Sequence, residues 1–361
     1  MKIIPKINIT VTAILLLVIS FASCRVFTSA KNTESEKIIY PSPPDTARIQ
    51  FLTSISSSED ISGKQSKFKK FIFGEEKPLQ ILKPFGVYFG EGKIYVCDIA
   101  LKALEIIDLK NNKFDLFKPS GKGVLKLPLG CFVDGSGNIY VADGNRRQII
   151  IFDKNGKYIN AFGETKNYKP TAVFVADGKI WAANVKNHAV HVYDKKTCKF
   201  LFKFPQANVS KNAYLNQPVF LNVTENEVFV SDFGDFKIKI YDKKGKYLRS
   251  VGTYGKLPGQ FTRPKGIATD KDGNLFVADA AFENVQMFNS KGKLLMHFGG
   301  PGGGKGNMSL PAGIFVNYDD LDYFEKFTDS DYNLKYLIIV TNQYGPEKLG
   351  IYGRIELKNG K

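Results

Sequence analysis

"VFVSDFGDFKIKIYDKKGKYLRSVG" (228–252) reads as an apolar strand ending in Asp, a polar break, a second strand, a Gly-containing turn and a third strand. Nearly the same sentence stands at 139–163, "IYVADGNRRQIIIFDKNGKYINAFG", and at 275–299, "LFVADAAFENVQMFNSKGKLLMHFG". Working outward, the strand-ending Asp or Asn recurs at Asp98, Asp143, Asn184, Asp232, Asp279 and Asn342, with spacings of 45, 41, 48, 47 and 63 residues. A proline opens another short strand 14 or 15 residues before each of the first five: Pro84, Pro128, Pro170, Pro218 and Pro264. Pro311 does so for the sixth, 31 residues ahead, which marks an insertion.

Self-similarity at such a period signals a repeat architecture. Each unit holds four β elements joined by turns such as "DGSGN" (134–138) and "DKDGN" (270–274), where Asn and Gly supply positive φ cheaply. Four antiparallel strands repeated six times predict an all-β, six-bladed β-propeller, with an open solenoid as the alternative. The sixth unit has no room for a fourth strand after "KLGIYGRIEL" (348–357). The segment "ARIQFLTSIS" (47–56) has the fourth-strand pattern. Residues 48–55 are therefore expected to complete the sixth blade and close the ring, because a closed ring leaves no sheet edge exposed.

These residues also carry a family resemblance. The order in "GTYGKLPGQFTRPKGIATDKDGNLFVAD" (252–279) resembles NHL repeats, strongly in units 2, 4 and 5 and in degenerate form in 1, 3 and 6. The resemblance spans roughly 80–357 and, with the closing strand, implies a propeller over 48–357. It also implies binding of proteins, RNA or glycans through the loop faces, or, in a minority, lyase or hydrolase activity with a divalent metal at the channel mouth.

The first 23 residues form a separate object. Lys2 and Lys6 precede the apolar run "ITVTAILLLVISF" (9–21), which is shorter than the ~20 residues of a comfortable membrane span. "FASC" (21–24) resembles a bacterial lipobox with Phe21 where Leu is usual, which makes Cys24 the expected lipidation site. A conventional secretory signal or an uncleaved anchor are the alternatives. Residues 24–47, polar and Pro-containing, read as a linker from lipid to folded body. Together these point to a lipid-anchored protein of the bacterial cell envelope. Arg25 follows Cys24 where an inner-membrane retention Asp would stand, which favours the outer membrane in a cell with two.

At 361 residues, 43% apolar and 13% aromatic, the chain can bury a large core, and disordered, collagen-like and coiled-coil classes are excluded. The net charge is +16; without residues 1–23 there are 49 basic against 35 acidic residues, or +14. Beyond Cys24 the cysteines are Cys97, Cys131 and Cys198, an odd number at unrelated spacings and no disulfide framework.

Chemistry is sparse. His188, His191 and His297 fall on a loop, a third strand and a fourth strand, so they do not converge on one metal ion. The Asp/Asn ring recurs in every unit and reads as loop-capping rather than a Ca²⁺ cluster. "GGPGGGKG" (299–306) lacks the Ser/Thr and helix of a phosphate loop. No catalytic residue and no cofactor is expected, and nucleic acid is not an expected partner of an exported, monomeric propeller.

The turns between third and fourth strands carry ten lysines, among them Lys154, Lys195, Lys243 and Lys291, which would ring the periphery of one face, the turn face. The opposite, loop face carries the second-to-third strand loops and blade connections. Its diverse side chains form the expected binding surface for a protein or glycan: Arg146, Arg147, Lys186, His188, Asp235, Phe236, Lys237, Tyr254, Phe282, Glu283 and Tyr344. The insertion "NYDDLDYFEKFTDSDYNLKY" (317–336) spaces Tyr318, Leu321, Phe324 and Phe327 three apart, which predicts a short helix near 318–328 capped by Asn317 or Asp319 and packed on the ring.

Overall fold

In the computed structural model the recurring unit is a four-stranded antiparallel sheet, ordered from the first strand to the fourth. The structure describes residues 37–358 apart from 43, 47, 67–70, 73, 75–76, 164–165 and 207–208; Cys24 and the leader lie outside the described residues. Blade 1 begins with Pro84–Gly90, blade 2 with Pro128–Val133, blade 3 with Pro170–Ala176, blade 4 with Pro218–Val223, blade 5 with Pro264–Thr269 and blade 6 with Pro311–Asn317. These six innermost strands touch in a ring, each against the next and the last against the first. Every one opens on the proline read from the sequence, at the position paired with the strand-ending Asp or Asn.

Blade faces are apolar because each packs on a neighbour. Six hydrophobic clusters result, one per interface. Tyr95 and Cys97 of blade 1 meet Val141 and Phe152 of blade 2, for instance. Phe276 and Phe298 of blade 5 meet Ile338 and Tyr352 of blade 6. Fourth strands are half-exposed, as the outer rim must be.

The ring closes as expected. Ile49–Ile55 runs antiparallel to Leu349–Leu357, from Ile49↔Arg354 to Ile55↔Leu349, and supplies the fourth strand of blade 6. The latch is reinforced from both chain ends. Ser56 Oγ donates to the Pro346 carbonyl at 2.6 Å and accepts from the Lys348 amide at 3.0 Å. The Gln50 amide bridges Phe327 O and Asp329 N at 2.9 and 3.0 Å. A fifth strand, Ile39–Tyr40, lies outside the latch strand, so the folded body begins N-terminal to residue 48. The hydroxyls of Tyr40 and Tyr352 both donate to Gly306 O at 3.1 Å, so the Gly-rich stretch 299–306 serves as part of the clasp.

The insertion holds a single helical turn, Asp322–Glu325. Neither Asn317 nor Asp319 caps it. Leu321 occupies the N-cap, and Asn317 Nδ2 bonds the Asp319 carbonyl instead, because the chain leaves the strand in a tight turn. Phe324 is fully buried against the blade 6–blade 1 cluster, with Leu321 and Phe327 packed beside it. From Tyr332 the chain is already strand, an 11-residue run to Asn342 paired with the long Leu349–Leu357 strand. Among the described residues no helix is long and apolar enough to cross a membrane.

Candidate functional site

The Asp/Asn ring resolves into six staples. Asp98 Oδ2 accepts from the Leu82 and Lys83 amides and Oδ1 from Ala100 and Leu101, all at 2.7–2.9 Å. Asp143 does the same for Lys126, Leu127, Asn145 and Arg146, and Asp279 for Thr262, Arg263, Ala281 and Phe282. The buried carboxylates of Asp98, Asp143 and Asp279 thus tie the chain entering the blade to the loop leaving the second strand, while Asp232 holds the entering Asn216 and Gln217 amides and pairs with Lys239. Backbone N–H donors satisfy the first three, and no ion is required.

Below the staples runs a polar layer that the repeat pattern hides. The third-strand residue two beyond the staple's cross-strand partner is Glu105, His191, Lys239 or Gln286 in blades 1, 3, 4 and 5. All four are buried. Lys239 Nζ pairs with Asp232 at 3.0 Å and Asp235 at 2.7 Å. Gln286 bonds the backbone of Gly259 and Gln260. His191 contacts Asn187 Oδ1 at 3.0 Å, and burial lowers its pKa to about 4. Glu105 faces Asp98, and desolvation, then Asp98, raises its pKa to about 9.

On the loop face the predicted residues divide. Several are used to shape loops. The Arg146 guanidinium bonds Lys122 O, Val124 O and Gln148 Oε1. His188 is hydrogen-bonded to Asn216 O, Glu283 accepts from the Leu310 amide at 3.0 Å, and Asp235 is paired with Lys237 and Lys239. Arg147, His188, Phe236 and Glu283 adopt positive φ at equivalent loop positions. Others point outward. Phe236 packs on Tyr254 at 4.7 Å, and Tyr254 is 64% exposed. Tyr344 is 53% exposed beneath the Lys83 ammonium. Lys186 is exposed and Phe282 half-buried in their loops. The structure brings these residues to one face but not into one pocket. Neighbouring blade connections add Leu82, Tyr214 and Leu257, all large, exposed and apolar.

The channel holds what the sequence reading missed. Gly86, Gly130, Gly266 and Gly313 stand third in their innermost strands, and a Cβ there would lie 2.4–3.0 Å from the neighbouring strand's backbone. Blade 4 places Phe220 at that position. Phe220 stacks on Phe85 of the diametrically opposite blade 1, with centroids 5.4 Å apart and planes at 12°, and so plugs the channel. On the loop-face side of the plug, Lys265 Nζ lies 5.7 Å from the Phe85 ring and bonds Gln343 Oε1 at 3.0 Å. Burial, then Arg263 and Lys83, lowers its pKa to about 8.

On the other side a cavity of about 280 Å³ opens on the turn face. Tyr88, Phe132, Phe174 and Phe315 form an arc of its wall, with adjacent centroids 4.7–4.8 Å apart. Asn222 and Thr269, hydrogen-bonded at 2.8 Å, face them. All four aromatics and Asn222 stand four residues after the blade-opening proline, a signal readable in the sequence once the blades are aligned. The lining contains no His, Asp, Glu, Lys or Arg. Among the described residues no group of three His, Cys, Asp or Glu is placed to hold a metal ion.

The basic turns of this face are partly committed. Lys195 reaches Asp134 of blade 2 at 2.8 Å, and Lys243 pairs with Asp177 of blade 3, locking neighbouring blades. Asp153 and Asp242 template their turns by accepting two backbone amides each.

Comparison with solved structures agrees on architecture. A streptogramin B lyase matches with a TM-score of 0.53 at 14% identity, over 77% of this chain and 84% of that one. The fold is a six-bladed propeller. A Bacteroides thetaiotaomicron protein of unknown function matches at 0.57 and 14%, over 86% and 76%. The Staphylococcus aureus virginiamycin B lyase matches at 0.51 and 13%, over 78% and 86%. At such identity the likeness concerns the fold alone. No family model and no curated protein matches the chain.

Proposed function

We propose that this chain is an NHL-type propeller lipoprotein, anchored through Cys24 to the bacterial cell envelope, that binds a protein partner on its loop face without catalysing a reaction. One observation carries the reading. The exposed large apolar side chains Leu82, Tyr214, Tyr254, Leu257 and Tyr344 stand on a single face whose loops are pinned from below by buried carboxylates. Rigid Tyr and Leu groups on a preorganised frame suit a protein interface, where aromatic anchors dominate the binding energy. The charge of +14 on the expected mature chain suits an acidic partner or an anionic surface.

The test has two arms. Cells fed an alkyne fatty acid should label the wild-type chain and not Cys24→Ala. The mature ring should retain an envelope protein that the double variant Tyr254→Ser, Tyr344→Ser, folded and equally stable, does not retain. Absence of label refutes the anchor, and retention unchanged by the double variant refutes the loop face.

A further inference from the structure

We propose that the central cavity on the turn face is a carbohydrate site that takes one neutral sugar ring at the end of a glycan, its apolar face on the arc of Tyr88, Phe132, Phe174 and Phe315 and its hydroxyls on Asn222 and Thr269. The site lies on the face opposite the proposed protein surface, and the two stand or fall separately.

The chemistry of the lining leads there. One wall is aromatic and half-buried. The opposite wall is an amide and a hydroxyl joined to each other. Asn222 Nδ2 donates to Thr269 Oγ1, which leaves the amide oxygen as an acceptor and the threonine hydroxyl as a donor. A pyranose has matching parts, a patch of C–H groups on one face and a rim of hydroxyls that both donate and accept. The space, about 280 Å³, falls at the small end of ligand pockets, which run from about 300 Å³ upward. The Phe85–Phe220 stack closes it from below, so the ligand enters end-on from the turn face.

The lining favours an uncharged ligand, because it holds no Asp, Glu, Lys, Arg or His to pair with an ionic one. Gly90 leaves room for the Tyr88 ring, since a Cβ there would lie 2.8 Å from its Cε1, and the ring packs on Phe132 and Phe315 at 4.7 and 4.8 Å. The wall is therefore preformed, which lowers the cost of ordering on binding.

The experiment is titration calorimetry, with saturation-transfer NMR, on the mature ring against four neutral tetrasaccharides of gluco-, manno-, galacto- and N-acetylgluco-configuration, and against tetragalacturonate as the anionic counterpart. At least one neutral tetrasaccharide is expected to bind with a Kd of about 1 mM or tighter, with transfer strongest to the terminal ring. Phe132→Leu keeps the side chain apolar and removes the ring, and Thr269→Val removes the hydroxyl at nearly constant volume. Each is expected to weaken binding about tenfold while Tyr344→Ser on the opposite face leaves it unchanged. The inference is overturned if none of the four binds, if tetragalacturonate binds in their place, or if the folded Thr269→Val and Phe132→Leu rings bind as the wild type does.

Discussion

The buried Glu105 makes the sharpest energetic prediction. Its carboxyl is fully buried beside Asp98, and the two are not equivalent. Asp98 accepts four backbone amides, and burial beside it disfavours a second charge on Glu105. The proton therefore resides on Glu105, whose pKa rises from 4.5 to about 9. In the unfolded chain Glu105 ionises above pH 4.5. Between pH 4.5 and 9 the folded state thus binds one more proton than the unfolded state, and stability falls as pH rises. At pH 7 this costs about 3 kcal/mol relative to a group that never ionises. Glu105→Gln is such a group, nearly isosteric with the protonated acid and equally able to donate toward Asp98. The variant is expected to match the wild type near pH 4.5 and to exceed it by roughly 3 kcal/mol, several degrees in Tm, at neutral pH. Thermal unfolding followed by circular dichroism from pH 4.5 to 9 measures the difference. A variant less stable than the wild type at pH 8, or a difference that does not change with pH, would refute the reasoning.

His191 acts at the other end of the scale. Its pKa, lowered to about 4, means the unfolded state binds the extra proton below pH 6.5, so stability falls as pH drops toward 4, and His191→Gln should flatten that acid limb in urea titrations. Asp143→Ala removes one of the six staples and leaves four part-buried amides without their acceptor; it should cost about 2–4 kcal/mol, read as a lower urea midpoint. Gly313→Ala sets a Cβ 2.4 Å from the Phe85 carbonyl across the blade 6–blade 1 seam and should cost about 1–3 kcal/mol by calorimetry, where the open-space Gly303→Ala costs little.

The ring could be read in the sequence because each blade repeats the same local grammar. A proline, a tight turn and an Asp at fixed offsets are short-range signals, and Ile49–Ile55 betrayed itself by sharing the fourth-strand pattern. The staples were legible for the same reason, since Asp143 and Asp279 recur at the same strand end. The cavity was not. Tyr88, Phe132, Phe174 and Phe315 come from four blades and meet only when the circle is drawn, and the innermost strands alternate so that one residue's shift changes the blade it faces. Phe220 stands where four of the other five blades place glycine, a match visible only once the blades are aligned. Chemical diversity singles out Arg146 and Glu283 in the sequence, and in the fold both hydrogen-bond loop backbone, a contact no short-range pattern announces. The two-residue strand Ile39–Tyr40 is too short to carry a period at all.

The most direct test concerns the latch. A chain beginning at Ser57 lacks both latch strands and leaves Leu349–Leu357 as an open edge. Its thermal unfolding should lose the cooperative transition of the intact ring. A synthetic peptide spanning 37–56 should restore that transition in a saturable way, and a peptide with Phe51 and Ile55 replaced by Asp should not. A shortened chain that unfolds at the intact ring's Tm without the peptide would contradict closure by the two chain ends.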